Sequence, residues 1–323
     1  MPKNRILAVC GQTAVGKTKY AIGLANAFDG EIISCDAMQI YQSMDIGSAK
    51  PTAQEQQQAV HHLVDFQDPR EPFSVAKYKV LAEAAIDDCL SRGKLPILAG
   101  GTGLYLNAIL YDMDFAAPPA QDPKVRQKLY QLAEQEGPQA LHQRLMALDP
   151  AAAARIHPNN VKKVIRALEA AQLGQPVADF GQRLAPNPKY DPLLLTLVRD
   201  REELYDRINQ RVDQLMDAGL LEEVQGLAQQ GLTEEHIAMK GIGYKELFAY
   251  LHGESTLEES VEKIKQNTRH YAKRQGTWFR RYEERKEFNL SQYPDDASCL
   301  EAIITWLKKQ SLYTTKPTNQ TTL

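Results

Sequence analysis

Short apolar runs alternate with amphipathic stretches over the first third of the chain. "RILAVCG" (residues 5–11), "EIISCD" (31–36) and "LPILAGG" (95–101) are too short for helices and read as buried strands. Apolar residues recur at helical spacing in "KTKYAIGLANAF" (17–28), "VAKYKVLAEAAIDDCLSRG" (75–93) and "GLYLNAILY" (103–111), with Ser74 as the cap of the second. Strands and helices in this alternation predict an α/β fold, a parallel sheet with helices on both faces.

The pattern changes at "FAAPPAQDP" (115–123). Beyond it "DPKVRQKLYQLAEQEG" (122–137), "PQALHQRLMALD" (138–149) and "NNVKKVIRALEAAQLG" (159–174) are helical. Asp122 and Pro123 form a helix start, and Gly137 and Gly174 are stops. "PLLLTLVRD" (192–200) is one more apolar strand, which most simply returns to the sheet. The predicted organisation is therefore an α/β core over 1–115 and 189–310 with C-terminal helices, interrupted by an all-helical insertion over 116–188. A long basic helix is expected through "KIKQNTRHYAKRQGTWFRRYEERK" (263–286), and the polar tail, 311–323, is expected to be disordered.

Bulk composition narrows the class. The 323 residues carry a net charge of −3, so any nucleic-acid surface must be local. One such region exists: from Glu262 to Lys286, nine basic residues face three acidic ones, a local +6. His270, Tyr271, Trp278 and Phe279 interleave with these cations as stacking platforms would, although Trp278 and Phe279 equally suit a core. Cys10, Cys35, Cys89 and Cys299 form neither a C-x-x-C pair nor a zinc spacing, and read as small buried hydrophobes of a reducing cytoplasm. No apolar run reaches the length of a membrane span, so no membrane association is expected.

Chemistry enters at "CGQTAVGKTKYA" (10–21). It matches G-x-x-x-x-G-K-[ST] through Gly11, Gly16, Lys17 and Thr18, between a strand and a helix. Gln12, Thr13, Ala14 and Val15 complete a loop whose N–H groups would face a phosphate. Lys17 would neutralise its charge, and the Thr18 hydroxyl would ligate Mg2+. The fold expected around such a loop is P-loop NTPase-like. A hydrolytic NTPase also needs an acid after a further strand, and "LPILAGG" ends in glycines. The second strand does end in an acid, Asp36, which suits a general base, a metal ligand or a helix cap.

Seven blocks in order, "GQTAVGKT", "SCDAMQIYQSMDIGSAKP", "HHLVDFQDP", "LAGGTGLYLNA", "AAARIHPNNVKKVIRALE", "MKGIGYKE" and "YAKRQGTWFR", resemble the bacterial tRNA dimethylallyltransferases, the IPP transferase family. The resemblance runs from Gly11 to about Arg281. It implies that the loop holds dimethylallyl diphosphate, and that the five-carbon group goes to N6 of the adenine 3′-adjacent to the tRNA anticodon. It further implies Asp36 as general base, Thr102 near the reacting groups and an arginine on the diphosphate, with Arg211 favoured over Arg207. RNA contacts are implied at Asp36, Ala37, Met38, Gln39, Thr102, Arg126, Lys162, Lys163, Arg166, Lys240, Gly241, Gly243, Tyr244, Lys245, Lys273, Arg274, Gln275, Trp278 and Arg280. The insertion and the late basic segment are expected to clamp the anticodon stem-loop between them, in a cytoplasmic monomer. Gln12 and Ser48 stand where relatives frequently carry proline and threonine. The rival readings are a small-molecule or nucleotide kinase, an adenylate isopentenyltransferase, and an RNA-binding module switched by nucleotide.

Overall fold

The structure, a computed structural model, describes residues 3–113, 123–174 and 185–310. The chain divides into two compact units, Met1–Tyr111 with Asn187–Leu323, and Asp112–Pro186. The first unit opens with β1 (Asn4–Gly11), α1 (Lys17–Phe28), β2 (Gly30–Ser34), α2 (Ala53–Gln58), β3 (His61–His62), α3 (Val75–Ser91), β4 (Leu95–Gly100) and α4 (Gly103–Leu110). The second unit holds α5 (Pro123–Leu148), α6 (Pro150–Arg155) and α7 (Val161–Gln172). The first unit resumes with β5 (Tyr190–Val198), α8 (Arg201–Asp217), α9 (Leu220–Gln229), α10 (Tyr244–Leu251), α11 (Leu257–Phe279), β6 (Lys286–Asn289) and α12 (Asp296–Lys309).

The six strands form one sheet in the order β3-β2-β4-β1-β5-β6, every pairing parallel. Residues on β1 alternate between two cores, as the pleat requires. Ile6, Ala8 and Cys10 pack on one side with Tyr78, Ile86 and Leu106. Leu7 and Val9 pack on the other with Leu24, Ile303 and Leu307. Full burial on both faces explains why β1 and β4 read as continuous apolar runs. All four cysteines are buried and free, placed as small core side chains.

The insertion has its own core of Leu129, Leu141, Leu145, Val164, Ile165 and Leu168. Gly137 breaks α5 with φ 84°, and Gly174 follows α7 with φ 70°, so both expected stops act as such. On α7 the apolar residues face that core, and Lys162, Lys163 and Arg166 are exposed on the other side.

Two expectations change. The two shortest strands, β3 and β6, went unread because two and four residues carry no periodicity. The basic helix, expected to run to Lys286, ends at Phe279. Tyr282 is buried and donates to Asn107 Oδ1 at 2.6 Å, which turns the chain inward. Arg285 Nη1 then donates to the carbonyls of Arg280 and Tyr282 at 3.1 and 2.9 Å, taking acceptors that the end of a helix leaves unpaired. Part of the expected break, 115–122 with Asp122, and the tail from Ser311 lie outside the described residues.

Candidate active site

In an open parallel sheet the ligand crevice lies beyond the carboxyl ends of the strands. Here β1, β2 and β4 end at Gly11, Ser34 and Gly100, and three segments leave them side by side. The loop from Gly11 to Thr18 feeds α1. Gly16, its cap, has φ 111°, a left-handed conformation that a side chain would strain. Ala14 adopts φ 61° without being glycine, local strain of the kind that collects at functional sites. The N–H groups of Ala14, Gly16, Lys17 and Thr18 have no partner among the described residues, nor does the Thr18 hydroxyl. Val15 is fully buried and anchors the loop.

Lys17 donates to the Gln12 carbonyl at 2.9 Å. Burial lowers its pKa to about 8, against the opposing pull of Asp36 and with a further push from Arg211. Arg211, on α8, is also lowered by burial, and Asp36 again opposes the shift. The three charges thus share one neighbourhood. Arg211 has no hydrogen-bond or ion-pair partner among the described residues. Arg207, one turn earlier, donates from Nε to the Ala14 carbonyl at 3.1 Å and braces the loop. Two buried cations with no bonded carboxylate among the described residues, though Asp36 acts on both and Glu55 on Arg211, form a site for a polyanion beside four open N–H groups.

Asp36 follows β2 and is half-buried. Its Oδ1 accepts from the Met38 N–H at 2.9 Å, which fixes the turn after the strand. Thr102 follows β4. Its Oγ1 accepts from the Ala37 N–H at 3.0 Å, and its N–H donates to the Cys35 carbonyl at 3.0 Å. These bonds hold Asp36 and Thr102 side by side. Tyr271 of α11 joins them. Its hydroxyl lies beside Thr102 and Gln275, and burial with the Asp36 charge pushes its pKa up to about 12. Sequence reading grouped Tyr271 with surface aromatics, since no local signal points a helical tyrosine at a distant aspartate.

Several expected RNA contacts have other places. Gln275 is buried, its amide bonded to the Thr13 N–H at 2.8 Å and to the Gly101 carbonyl at 2.9 Å. Tyr244 is fully buried and donates to Glu223 at 2.7 Å. Gly243 is buried at the start of α10. Arg126 donates from Nε to Glu169 at 3.0 Å, because a carboxylate buried in the insertion core requires a partner. Gln39 turns inward, accepting from Ser34 and donating to the Ala49 carbonyl. Trp278 is half-buried against Gly103, with Arg281 over its ring at 5.3 Å. Phe279 is core.

The remaining candidates are at the surface or lead to it. Lys273 and Arg274 on α11 and Arg280 just past its end are exposed; Lys240, and Lys245 on α10, are exposed too, the latter 3.4 Å from Glu246. Gly241 leaves room for Met38, since a methyl group there would fall 2.4 Å from its Cε; this seats "MKGIGYK" on the Asp36 loop. Glu223, which no motif singles out, fastens that loop. It accepts from the N–H groups of Asp45, Ile46 and Gly47 at 2.7, 2.7 and 3.0 Å. Among the described residues one cluster has metal-ligand spacing, Glu31, His62 and Cys89, within 4.8 Å of one another near the start of β2. The Arg92 guanidinium spans both Glu31 oxygens there, and the cluster is an ion-pair network.

The sheet, the loop and its lysine define a phosphate-loop protein of P-loop NTPase-like fold. The family model described as IPP transferase matches residues 39–282, and that described as isopentenyl transferase matches 4–67. The chain belongs to the IPP transferase family. It is 49% identical to the tRNA dimethylallyltransferase of Alkaliphilus metalliredigens over 94% of this chain and 96% of that one. With the enzyme of the same name from an Exiguobacterium species it shares 51% over 90% and 94%. Among solved structures it is similar to the full-length tRNA isopentenylpyrophosphate transferase of Bacillus halodurans, with TM-score 0.72, 42% identity, and 95% and 97% of the two chains covered. A eukaryotic dimethylallyltransferase captured acting on tRNA gives TM-score 0.77 at 29% identity, over 98% of this chain and 82% of that one. Among the described residues no helix is long and apolar enough to cross a membrane.

Proposed function

We propose that this chain transfers the dimethylallyl group of dimethylallyl diphosphate to N6 of the adenine 3′-adjacent to the anticodon of tRNA. The observation that carries the reading is the loop end of the sheet. Lys17 and Arg211 stand there with no bonded carboxylate among the described residues, and Asp36, whose charge acts on both, is held beside Thr102.

The diphosphate binds the open N–H groups of Ala14, Gly16, Lys17 and Thr18, with Lys17 and Arg211 neutralising its charge. Negative charge grows on this group as the allylic C–O bond breaks, so the cations stabilise the transition state more than the ground state. The free Thr18 hydroxyl, next to a diphosphate, is a hard oxygen donor that suits Mg2+, whose chemistry would be further charge neutralisation. Asp36 accepts the proton that N6 loses as the C–N bond forms. Thr102 holds the Asp36 turn in register. The target base leaves its stack to reach Asp36, at low cost in an RNA loop. Exposed Lys162, Lys163 and Arg166 on α7, and Lys240, Lys273, Arg274 and Arg280, contact phosphates and set the register of the RNA.

Incubation with dimethylallyl diphosphate, Mg2+ and unmodified tRNA, followed by nucleoside mass spectrometry, tests the reading. One five-carbon unit on the adenine 3′ of the anticodon is expected. Consumption of ATP with unaltered tRNA would favour the kinase reading, and prenylation of adenosine monophosphate with tRNA untouched would favour an adenylate isopentenyltransferase.

A further inference from the structure

Helix α11 lies across the open side of the phosphate loop, and two glutamines make the crossing. Gln275 is 5% exposed. Its Oε1 accepts from the Thr13 N–H at 2.8 Å, and its Nε2 donates to the Gly101 carbonyl at 2.9 Å. From the loop side, Gln12 Nε2 donates to the Ala272 carbonyl at 3.0 Å. A methyl group on Gly101 would fall 2.3 Å from Gln275 Nε2 and 3.7 Å from Lys17 Nζ, so carboxamide and ammonium border the same cleft. A methyl group on Gly276 would fall 3.3 Å from Gln12 Nε2, which shows how closely the helix backbone rests on the loop.

In nucleotide-binding loops of this type the backbone cradles the inner phosphates and the lysine reaches the outer one. The open N–H groups here are those of Ala14, Gly16, Lys17 and Thr18, whereas the Val15 N–H is bonded to the Gln12 carbonyl and the Thr13 N–H is taken by Gln275. Space next to the lysine is bounded by Gln275. Moving that side chain aside would strip the Thr13 N–H and the Gly101 carbonyl of their partners in a dry environment, which resists displacement. Charge alone would favour a longer phosphate chain, since each added phosphate brings more negative charge to Lys17 and Arg211. The obstruction acts in the opposite direction.

We infer that Gln275, seated by the Gln12 tie, sets the length of phosphate chain that the loop accepts: a diphosphate fits and a triphosphate is shut out. This rests on the reading of the loop as a diphosphate site. It makes Gln275 a specificity-determining residue, and it gives a physical reason why a loop with the sequence of an NTPase serves a prenyl donor.

The test is competition by inorganic pyrophosphate and tripolyphosphate against dimethylallyl diphosphate, with full-length protein and Mg2+ in excess. The wild type should prefer pyrophosphate at least tenfold. In Gln275→Ala that preference should shrink at least tenfold, and in Gln12→Ala by a smaller factor; the second variant serves if the first does not fold. A wild type that takes tripolyphosphate as tightly as pyrophosphate overturns the inference, as does an unchanged preference in a folded Gln275→Ala or, failing that, in Gln12→Ala. A wild type with which neither competes overturns the diphosphate reading and this inference together.

Discussion

The two ends of the sheet treat charge in opposite ways. Near the start of β2, Glu31 is 7% exposed in its side chain and fully engaged. Arg92 spans both its oxygens and His62 lies 2.7 Å away. The bonds from Arg92, chiefly, hold its pKa down to about 2. At the loop end Lys17 and Arg211 are pushed toward their neutral forms by burial; Asp36 opposes both shifts and Glu55 opposes that of Arg211, but neither cation has a bonded carboxylate among the described residues. Burying charge is costly unless it is paired. The first arrangement meets that cost within the fold. The second leaves it for a ligand to meet, and this contrast separates a structural cluster from a site.

Substitutions at the two ends should therefore fail in different ways. The largest loss is expected from Asp36→Ala, about 10² to 10⁴-fold in transfer with tRNA binding retained, because the departing proton has no acceptor. Parallel titration of tRNA and single-turnover kinetics would detect it; a rate near wild type would reduce Asp36 to a turn-former. Lys17→Ala should follow, at about 10² to 10³-fold in the rate of transfer, the cost of removing one donor from a developing anion. The same residue has a pH signature. Its free pKa of about 8 lies below the ordinary 10.5, so it loses its charge as pH rises through about 8. Donor affinity should fall over that window, and a flat profile from pH 7 to 10 would contradict the role.

At the other end, Glu31→Gln should cost stability and not catalysis, about 1–3 kcal/mol by urea unfolding, from weakened charged hydrogen bonds. The folded-state pKa of Glu31 is depressed, so its contribution is present above the ordinary 4.5 and lost as pH falls toward about 2. Wild type should lose more stability across that interval than Glu31→Gln; parallel curves would remove the carboxylate from the ledger. The smallest effects belong to the surface cations. Lys273→Ala and Lys163→Ala should each lower the salt slope of tRNA affinity by about one unit and weaken all tRNAs alike. Unchanged slopes in both would return these lysines to ordinary solvated helix faces.

The contrast also explains what the sequence could disclose. Apolar runs buried on both faces announced β1, β2, β4 and β5, and the loop announced itself because one short segment carries all its parts. Asp36 was legible as an acid at a strand end. The contacts that join distant segments were not. Gln275 reads as one polar residue in a basic helix, yet it reaches the loop 262 positions away. Tyr244 sits in a motif that looks exposed and is core, since a tyrosine hydroxyl can be buried once Glu223 accepts from it. The partner of Arg126, Glu169, lies 43 residues further along, so its ion pair could not be read from its own segment. Local patterns report burial and turn chemistry; they do not report which buried polar group finds which partner.

The most direct test of the contrast is the ratio of single-turnover prenyl-transfer rates in Asp36→Ala and Glu31→Gln, measured on one tRNA at saturating dimethylallyl diphosphate and corrected for folded protein. The account predicts a Glu31→Gln rate close to wild type and an Asp36→Ala rate lower by about 10² to 10⁴-fold. Equal rates in the two folded variants would contradict it.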